Sequence, residues 1–144
     1  MKHIFIINPA AGKTDKTAEY TAKIEQSCAG LDYEVAVSKG PGDCTRIARE
    51  AAERGEEVRL YACGGDGTLN EVVAGAAGFD NAAVTVYVGG SGNDFVKIFN
   101  DRDAFRCLDR LLDARTAEFD LIDCNGDLSL NICCVGLDSR IGAE

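Results

Sequence analysis

The sequence predicts a three-layer α/β domain in which a mainly parallel sheet lies between helices. Short apolar runs of strand length alternate with segments whose apolar residues recur at helical spacing. Four runs end in loops rich in glycine, hydroxyl or amide groups: His3–Ile7, Tyr33–Val37, Val58–Cys63 and Ala83–Val88. Right-handed βαβ connections bring the carboxyl ends of parallel strands to one edge. We therefore expect these four loops to gather at one edge of the sheet.

The first unit is a continuous apolar run, His3–Ile7, of the kind found in buried parallel strands. The loop Asn8–Thr14 follows, and a helix is predicted from about Thr14 to Cys28. The loop ends like a P-loop, but the first glycine that this motif requires would stand at position 7, which is isoleucine. Lys13 is either a cation that faces a phosphate or an exposed loop lysine, and spacing alone favours the exposed lysine.

The second unit is a strand at Tyr33–Val37, a Gly-Pro-Gly loop at 40–42 and a helix that begins at Asp43 and is ended by Gly55. Ser38 follows the strand at the edge where open α/β sheets place ligands. A ligand contact and a solvated loop serine are equally compatible with this position.

The third unit carries the central motif, because the strand Val58–Cys63 runs directly into Gly64-Gly65-Asp66-Gly67-Thr68 and then a helix. Glycines allow a tight turn close to a ligand, and the free N–H groups of a helix start favour an anion. An acid at Asp66 repels a bare phosphate, so it indicates a metal ion or a donor hydroxyl. The alternative is a plain turn with Asp66 or Thr68 as helix cap. Asn70 occupies the place of the last glycine of G-x-G-x-x-G, so that motif fails.

The fourth unit repeats the theme, since Ala83–Val88 leads into Gly89-Gly90-Ser91-Gly92-Asn93-Asp94. Alone, this segment is compatible with a glycine-rich loop and a helix cap at Asn93 or Asp94. A second acid-bearing turn at the same sheet edge favours a shared site. Asp101 is predicted to cap a further helix that packs on the sheet and carries no chemistry.

Near residue 116 the pattern changes. Thr116–Cys124 is strand-like, and Asn125-Gly126 is a strong two-residue hairpin signal. The predicted division is an α/β domain at 1–116 and the start of a β-rich domain at 117–144, truncated at its first hairpin. An isolated hairpin is marginal, so its apolar face should find cover by dimerisation or by folding onto the α/β domain. That face consists of Leu128, Leu130, Ile132 and Cys134.

Composition excludes several classes of function. The 144-residue chain has a net charge of −9, which argues against nucleic acid and against simple adsorption on an anionic membrane. Its seven cysteines form no C-x-x-C pair and it has one histidine, so a zinc site is not expected. The cysteines are expected to be reduced in a cytoplasmic setting. A leader is not expected, because the apolar run Ile4–Ile7 is too short for one, and no apolar run has membrane-spanning length.

The central turn with Asn70-Glu71 resembles the hallmark of the diacylglycerol kinase catalytic domain family. This family includes bacterial lipid kinases and sphingosine kinases and is related to NAD kinases. Asn8-Pro9-x-x-Gly12 is similar to its opening motif. The segment from Gly90 to Phe95 resembles its Gly-Thr-Gly-Asn-Asp-Phe motif, with Ser91 in place of threonine. Asn131 and Gly136-Leu137-Asp138 resemble its Asn…Gly-Phe-Asp segment, with leucine in place of phenylalanine.

The resemblance implies a Rossmann-like, ATP-binding domain of a lipid kinase that acts with Mg²⁺ on a diacylglycerol-like lipid, peripheral to a membrane surface. The implied nucleotide-binding residues are Asn8, Gly12, Lys13, Ser38, Gly64, Gly65, Asp66, Gly67, Thr68, Asn70, Glu71, Ser91, Gly92 and Asn93. Asp66 would engage Mg²⁺, and Asp66 and Asp94 are the catalytic candidates. The general base is expected beyond Glu144, so we expect residues 1–144 to bind nucleotide weakly and not to phosphorylate lipid.

Three alternatives remain at this point. An NAD kinase shares the Gly-Gly-Asp-Gly turn, although the Asn8-Pro9 opening and Thr68 favour the lipid branch. A nucleotide-binding module without catalysis would use the same loops. An NAD(P)-dependent oxidoreductase would carry an acid at the end of the second strand, where Ser38 and Lys39 stand.

Overall fold

The structure, a computed structural model, describes residues 1–89 and 93–130 and has the predicted three-layer α/β architecture with a small hairpin. In chain order the elements are β1 (Lys2–Ile7), α1 (Thr17–Ser27), β2 (Tyr33–Val37), α2 (Asp43–Glu53), β3 (Val58–Cys63), α3 (Asp66–Ala76), β4 (Ala82–Tyr87), two 3₁₀ helices (Phe95–Ile98 and Arg102–Arg106), α4 (Leu108–Leu112), β5 (Ile122–Cys124) and β6 (Asp127–Ser129).

The main sheet is parallel throughout, with the strand order β2-β1-β3-β4. Its strands end level with one another, because Ile7 is paired with both Val37 and Cys63, and Cys63 is paired with Tyr87. The chain leaves β1 toward one side of the sheet and leaves β3 toward the other. A crevice at such a reversal is where doubly wound sheets bind ligands.

Both faces of the sheet are buried, as the apolar strands predict. Alternate residues of β1 and β3, such as Ile4, Ile6, Leu60 and Ala62, pack with α2 and α3. The intervening residues, such as Phe5, Ile7 and Tyr61, pack with α1 and α4. Every residue of β3 is buried, so this central strand fixes the position of the turn that follows it.

Two helices differ from their predicted extents. Helix α1 begins at Thr17 and not at Thr14, because the Asp15 carboxylate accepts the Thr17 N–H at 2.8 Å and forms a local turn first. Asp101 caps the next helix as predicted, accepting the Ala104 N–H at 3.3 Å. That helix divides into a 3₁₀ segment and α4. The Phe105 carbonyl accepts the Val88 N–H at 2.9 Å, which diverts it from a helical hydrogen bond.

Arg59 connects β3 to the end of α4. Its side chain is 8% exposed, and its guanidinium donates to the carbonyls of Leu111 (2.9 Å), Leu112 (2.8 Å) and Ala114 (2.8 Å). A cation at a helix C-terminus is stabilising because the terminal carbonyls carry partial negative charge. Arg59 therefore holds the short helix against the sheet.

The hairpin forms at the predicted turn, where Asn125 and Gly126 both have positive φ. Strand β5 covers only Ile122–Cys124, so the strand predicted from Thr116 is too long. Phe119 instead packs on Phe95 and Phe99, with ring centroids 5.7 and 6.0 Å apart. Leu130 packs on the core of the α/β unit, which fits the expected folding-back of the hairpin. Ile132 and Cys134 lie outside the described residues, and the division into two domains stays a prediction.

Four cysteines, Cys28, Cys44, Cys63 and Cys107, are free thiols, as expected for a reduced protein. Cys124 belongs to a disulfide bond, so for this residue the prediction of a reduced thiol is wrong. Within residues 1–89 and 93–130, no helix is long and apolar enough to cross a bilayer.

Candidate functional site

The loop after β1 and the turn after β3 are joined at the reversal of strand order. Asn8 donates from its amide to the Thr68 hydroxyl at 3.1 Å, and its own amide oxygen accepts the Ala10 N–H at 3.0 Å. Its backbone N–H donates to the Cys63 carbonyl at 3.2 Å. Asn8 therefore fixes the two loops to each other at the point where the fold favours a ligand.

Gly64 is required by a close approach within the turn. A Cβ at this position would lie 2.3 Å from Thr68 Oγ1 and 2.8 Å from Thr68 Cβ. Thr68 is 3% exposed and has little room to move. The first glycine of the motif thus allows the backbone after β3 to lie in contact with the buried side chain of Thr68.

The start of α3 has no side-chain cap. Gly65 occupies the cap position in an extended conformation, and Asp66 is the first helical residue. The alternative of Asp66 or Thr68 as cap of this helix is therefore wrong. Backbone N–H groups in the first turn of an uncapped helix favour an anion.

The Asp66 carboxylate binds the other glycine-rich loop. It accepts the Asp94 N–H at 2.8 Å and the Phe95 N–H at 3.1 Å, at the start of a 3₁₀ helix. Each oxygen keeps a free lone pair for a further donor or a metal ion. Across the part of the chain that the structure describes, no group of three or more His, Cys, Asp or Glu side chains forms a metal site.

Ser38 and Glu71 meet around a thiol. Ser38 is 5% exposed and donates its backbone N–H to the Ile7 carbonyl at 2.8 Å, so it is not a solvated loop serine. Burial raises the pKa of the Cys44 thiol, and the neighbouring Ser38 and Glu71 act on this pKa in opposite directions, Ser38 lowering it and Glu71 raising it. Glu71 Oε2 is buried without a hydrogen-bond partner. Cys44 gave no signal in the sequence beyond its place at the start of a helix.

Asn93 is the second polar side chain with unused hydrogen-bonding capacity. It is 3% exposed, and neither atom of its amide has a partner. A buried polar group without a partner costs about 1–3 kcal/mol. Asn93 and Glu71, like the buried Thr17 hydroxyl, have hydrogen-bonding capacity that no described side chain uses.

The remaining predicted residues occupy different environments. Asn70 is turned to the hairpin: its amide donates to the Leu128 carbonyl at 3.2 Å and accepts the Leu130 N–H at 3.0 Å. Asp94 is exposed and ion-paired with Lys97. Gly12 has a φ of +84° and Lys13 is exposed. Ser91, Gly92, Asn131 and Gly136-Leu137-Asp138 lie outside the described residues.

A cavity of about 310 Å³ lies between the turn, the loop after β4 and the hairpin. Its lining residues are Asp66, Gly67, Leu69, Asn70, Asp94, Phe95, Ser129 and Leu130. Both catalytic candidates, Asp66 and Asp94, border this space. The sequence could place the two acids at one sheet edge, but it left open whether the hairpin that lines the cavity would fold onto this domain or dimerise.

Comparison with known proteins decides the family. The sequence profile of the diacylglycerol kinase catalytic domain matches residues 2–124. The chain belongs to the diacylglycerol kinase catalytic domain family. It is 33% identical over 133 residues to a diacylglycerol kinase of Bacillus subtilis, covering 88% of this chain and 43% of that protein. A "Probable lipid kinase YegS-like" of Pseudomonas aeruginosa is 35% identical over 135 residues, covering 93% and 43%.

A crystal structure of a diacylglycerol kinase from Bacillus anthracis str. Sterne has the same fold as this member of the family. The TM-score is 0.68 at 25% identity, covering 99% of this chain and 52% of that one. The chain spans less than half the length of these two sequence relatives and about half of the solved structure. Whatever the remaining parts of those proteins do is not represented among residues 1–144.

Proposed function

We propose that this domain binds ATP and forms the phosphate-donor part of a lipid kinase. The observation that carries the proposal is the uncapped start of α3, which lies at the reversal of strand order and directly follows Gly64 and Gly65. An anion at this position receives backbone N–H groups and the positive end of the helix dipole. Family membership makes the triphosphate of ATP the expected anion.

The described residues fit the polar groups of such a nucleotide. The N–H groups of Gly65 and Gly67 would hold phosphate oxygens. The Thr68 hydroxyl accepts from Asn8 and still has its own hydrogen to donate to a phosphate oxygen. The unpartnered groups of Glu71 and Asn93 would complete their hydrogen bonds on the nucleotide.

Mg²⁺ would arrive with the triphosphate, because this ion is usually held by one or two carboxylates together with substrate phosphates. Asp66 offers such a carboxylate beside the turn. When bound, the ion neutralises charge on the transferred phosphoryl group. Asp66 at the same time holds the loop after β4, so it organises the site even without the ion.

The proposed acceptor is the hydroxyl of a diacylglycerol-like lipid taken from a membrane surface. This choice comes from the names of the relatives, which are a diacylglycerol kinase and a lipid kinase. The general base and the acceptor pocket would lie outside residues 1–144, and Asp94 would orient the acceptor or the nucleotide. The expectations of no lipid phosphorylation by these residues alone, of a cytoplasmic, membrane-peripheral location and of dimerisation remain predictions.

Titration calorimetry tests the nucleotide proposal and separates it from its rivals. We expect ATP with Mg²⁺ to bind weakly and NAD and NADP not to bind, because the turn offers N–H groups for a linear triphosphate. An NAD kinase shares this type of turn and would bind NAD. Binding of NAD or NADP together with no detectable binding of ATP would overturn the lipid kinase proposal.

The Asp66→Asn variant tests the acid of the turn. An amide oxygen can accept only one of the two N–H groups, and the amide nitrogen would face the other. Hydrogen bonds to charged groups contribute about 1.5–3 kcal/mol, so we expect ATP affinity to fall roughly tenfold to hundredfold. The measurement is the dissociation constant for ATP, taken with Mg²⁺ and again with a chelator.

The control is Asp101→Asn, which changes an exposed helix cap away from the turn. If Asp66→Asn lowers the ATP affinity relative to Asp101→Asn by the same factor with and without Mg²⁺, Asp66 acts by anchoring the loop. If the effect of Asp66→Asn disappears with the chelator, Asp66 acts through the ion. A variant that is merely less stable, with unchanged affinity per folded molecule, would show that Asp66 has no part in binding.

A further inference from the structure

Two side chains hold Gly89, which lies two residues after the end of β4: Lys16, the residue just before α1, and Tyr20 in the first turn of α1. Lys16 Nζ donates to the Gly89 carbonyl at 2.5 Å. The Tyr20 hydroxyl accepts the Gly89 N–H at 2.9 Å and donates to the Tyr87 carbonyl at 3.4 Å. We call Lys16 and Tyr20 the Gly89 clamp. The clamp satisfies both backbone polar groups of Gly89 with two side chains that lie 73 and 69 residues earlier in the chain.

The clamp is closely fitted. A Cβ on Gly89 would lie 2.5 Å from the Tyr20 hydroxyl oxygen and 2.6 Å from the ring carbon that carries it. Tyr20 is 6% exposed and stacks edge-on against Tyr87, with ring centroids 5.4 Å apart. Burial raises the pKa of Tyr20 to about 12, so the hydroxyl keeps its proton and its donor role. Gly89 therefore has one position relative to α1.

The clamp and Asp66 hold opposite ends of the same loop. The clamp fixes Gly89 at its start, and Asp66 fixes Asp94 and Phe95 at its end. Asn93, whose buried amide has no partner, lies just before that second anchor. Gly89, Asp94 and Phe95 are thus held in place before a ligand binds, which lowers the entropic cost of binding at these residues.

We propose that Lys16 and Tyr20 are positioning residues for nucleotide binding, which act through Gly89 on the loop after β4. The proposal rests on the proposed function only for the identity of the ligand. Lys16 thereby has a structural contact with the site loop, whereas Lys13, the lysine considered from the sequence as a phosphate-facing cation, is exposed. Lys16 and Tyr20 are four residues apart, so one face of α1 presents both to the same loop.

Hydrogen exchange in the full 144-residue chain tests the clamp without any nucleotide. We expect the Gly89 amide to exchange about tenfold faster in Lys16→Met and Tyr20→Phe, since each loses one anchor of this residue. Amides of the buried strands, such as those of Phe5 and Leu60, should be unaffected. Lys23→Met is the matched control, because Lys23 lies on the same helix but is paired with Glu19 at the surface. Lys16→Arg retains a donor and should restore slow exchange.

ATP titration then tests the link to binding. Affinity should fall about tenfold in Lys16→Met and Tyr20→Phe and stay unchanged in Lys23→Met. The loss should be equal for ADP and ATP, because the clamp acts through the loop. Unchanged exchange at Gly89, or unchanged affinity in a wild-type protein that binds ATP, would overturn the inference, as would a loss that grows with the number of phosphates. If the wild-type chain binds no ATP, the proposed function fails, while the exchange experiment still decides whether the clamp holds the loop.

Discussion

Replacing Gly64 with alanine is expected to lower the free energy of unfolding by about 3 kcal/mol and to remove ATP binding. The new Cβ would lie 2.3 Å from Thr68 Oγ1, far inside van der Waals contact. Overpacking of a buried site costs about 1–3 kcal/mol, and displacing Thr68 also breaks its hydrogen bond with Asn8. Urea unfolding gives the stability and calorimetry gives the affinity.

Gly65→Ala is the matched control, because it adds the same methyl group at the next residue. Among the described residues, apart from the adjoining backbone, no atom lies within 4 Å of a Cβ at Gly65, and its φ of −94° is accessible to alanine. The expected cost is at most about 1 kcal/mol, which reflects the preference for glycine over alanine at a helix cap. Equal destabilisation by the two substitutions would show that the contact with Thr68 is not the cause.

Replacing Arg59 with methionine is expected to lower the free energy of unfolding by about 3 kcal/mol. The guanidinium donates hydrogen bonds to three carbonyls at the end of α4. The methionine side chain cannot donate, so these carbonyls would lose this donor. Each buried group that loses its partner costs about 1–3 kcal/mol, and the favourable charge at the helix end is lost as well. The measurement is the midpoint and slope of chemical denaturation.

Two further variants control for charge and for size. Arg59→Lys keeps the charge but not the planar fork, so it should lose part of this stability. Arg54→Met breaks an exposed pair with Glu34 and should change stability by less than about 1 kcal/mol. If Arg59→Met costs no more than Arg54→Met, Arg59 does not hold α4 to the sheet.

The strands of the sheet could be predicted because a strand buried on both faces must be apolar throughout. The run Val58–Cys63 meets this condition and is buried along its whole length. Asn125-Gly126 was equally predictable, since few pairs adopt two consecutive positive φ angles without strain. The division of the helix after Asp101 into two segments could not be predicted. It depends on the hydrogen bond from the Val88 N–H to the Phe105 carbonyl, and these residues are far apart in the sequence.

The site shows the same limit. Spacing placed Asp66 and Asp94 at one edge, but it could not show that the Asp66 carboxylate binds the backbone of the second loop 28 residues later. Spacing singled out Lys13 and gave no indication that the side chain of Lys16 reaches Gly89. That contact depends on the path of the loop after β1, which the sequence alone does not give.

Asn70 lies two residues after Thr68. The nitrogen and the oxygen of its side-chain amide both form hydrogen bonds with the backbone of the hairpin. Helix α3 thus connects the glycine turn, which lies at its start, to the hairpin, which is hydrogen-bonded to its second turn through Asn70. A molecule that orders the turn also restrains the hairpin, and any contact that orders the hairpin restrains the turn. Such coupling is reciprocal, so each partner raises the affinity of the other by the same factor. Binding of nucleotide at the turn and contact of a further segment or partner with the hairpin would then be cooperative, because both act on helix α3.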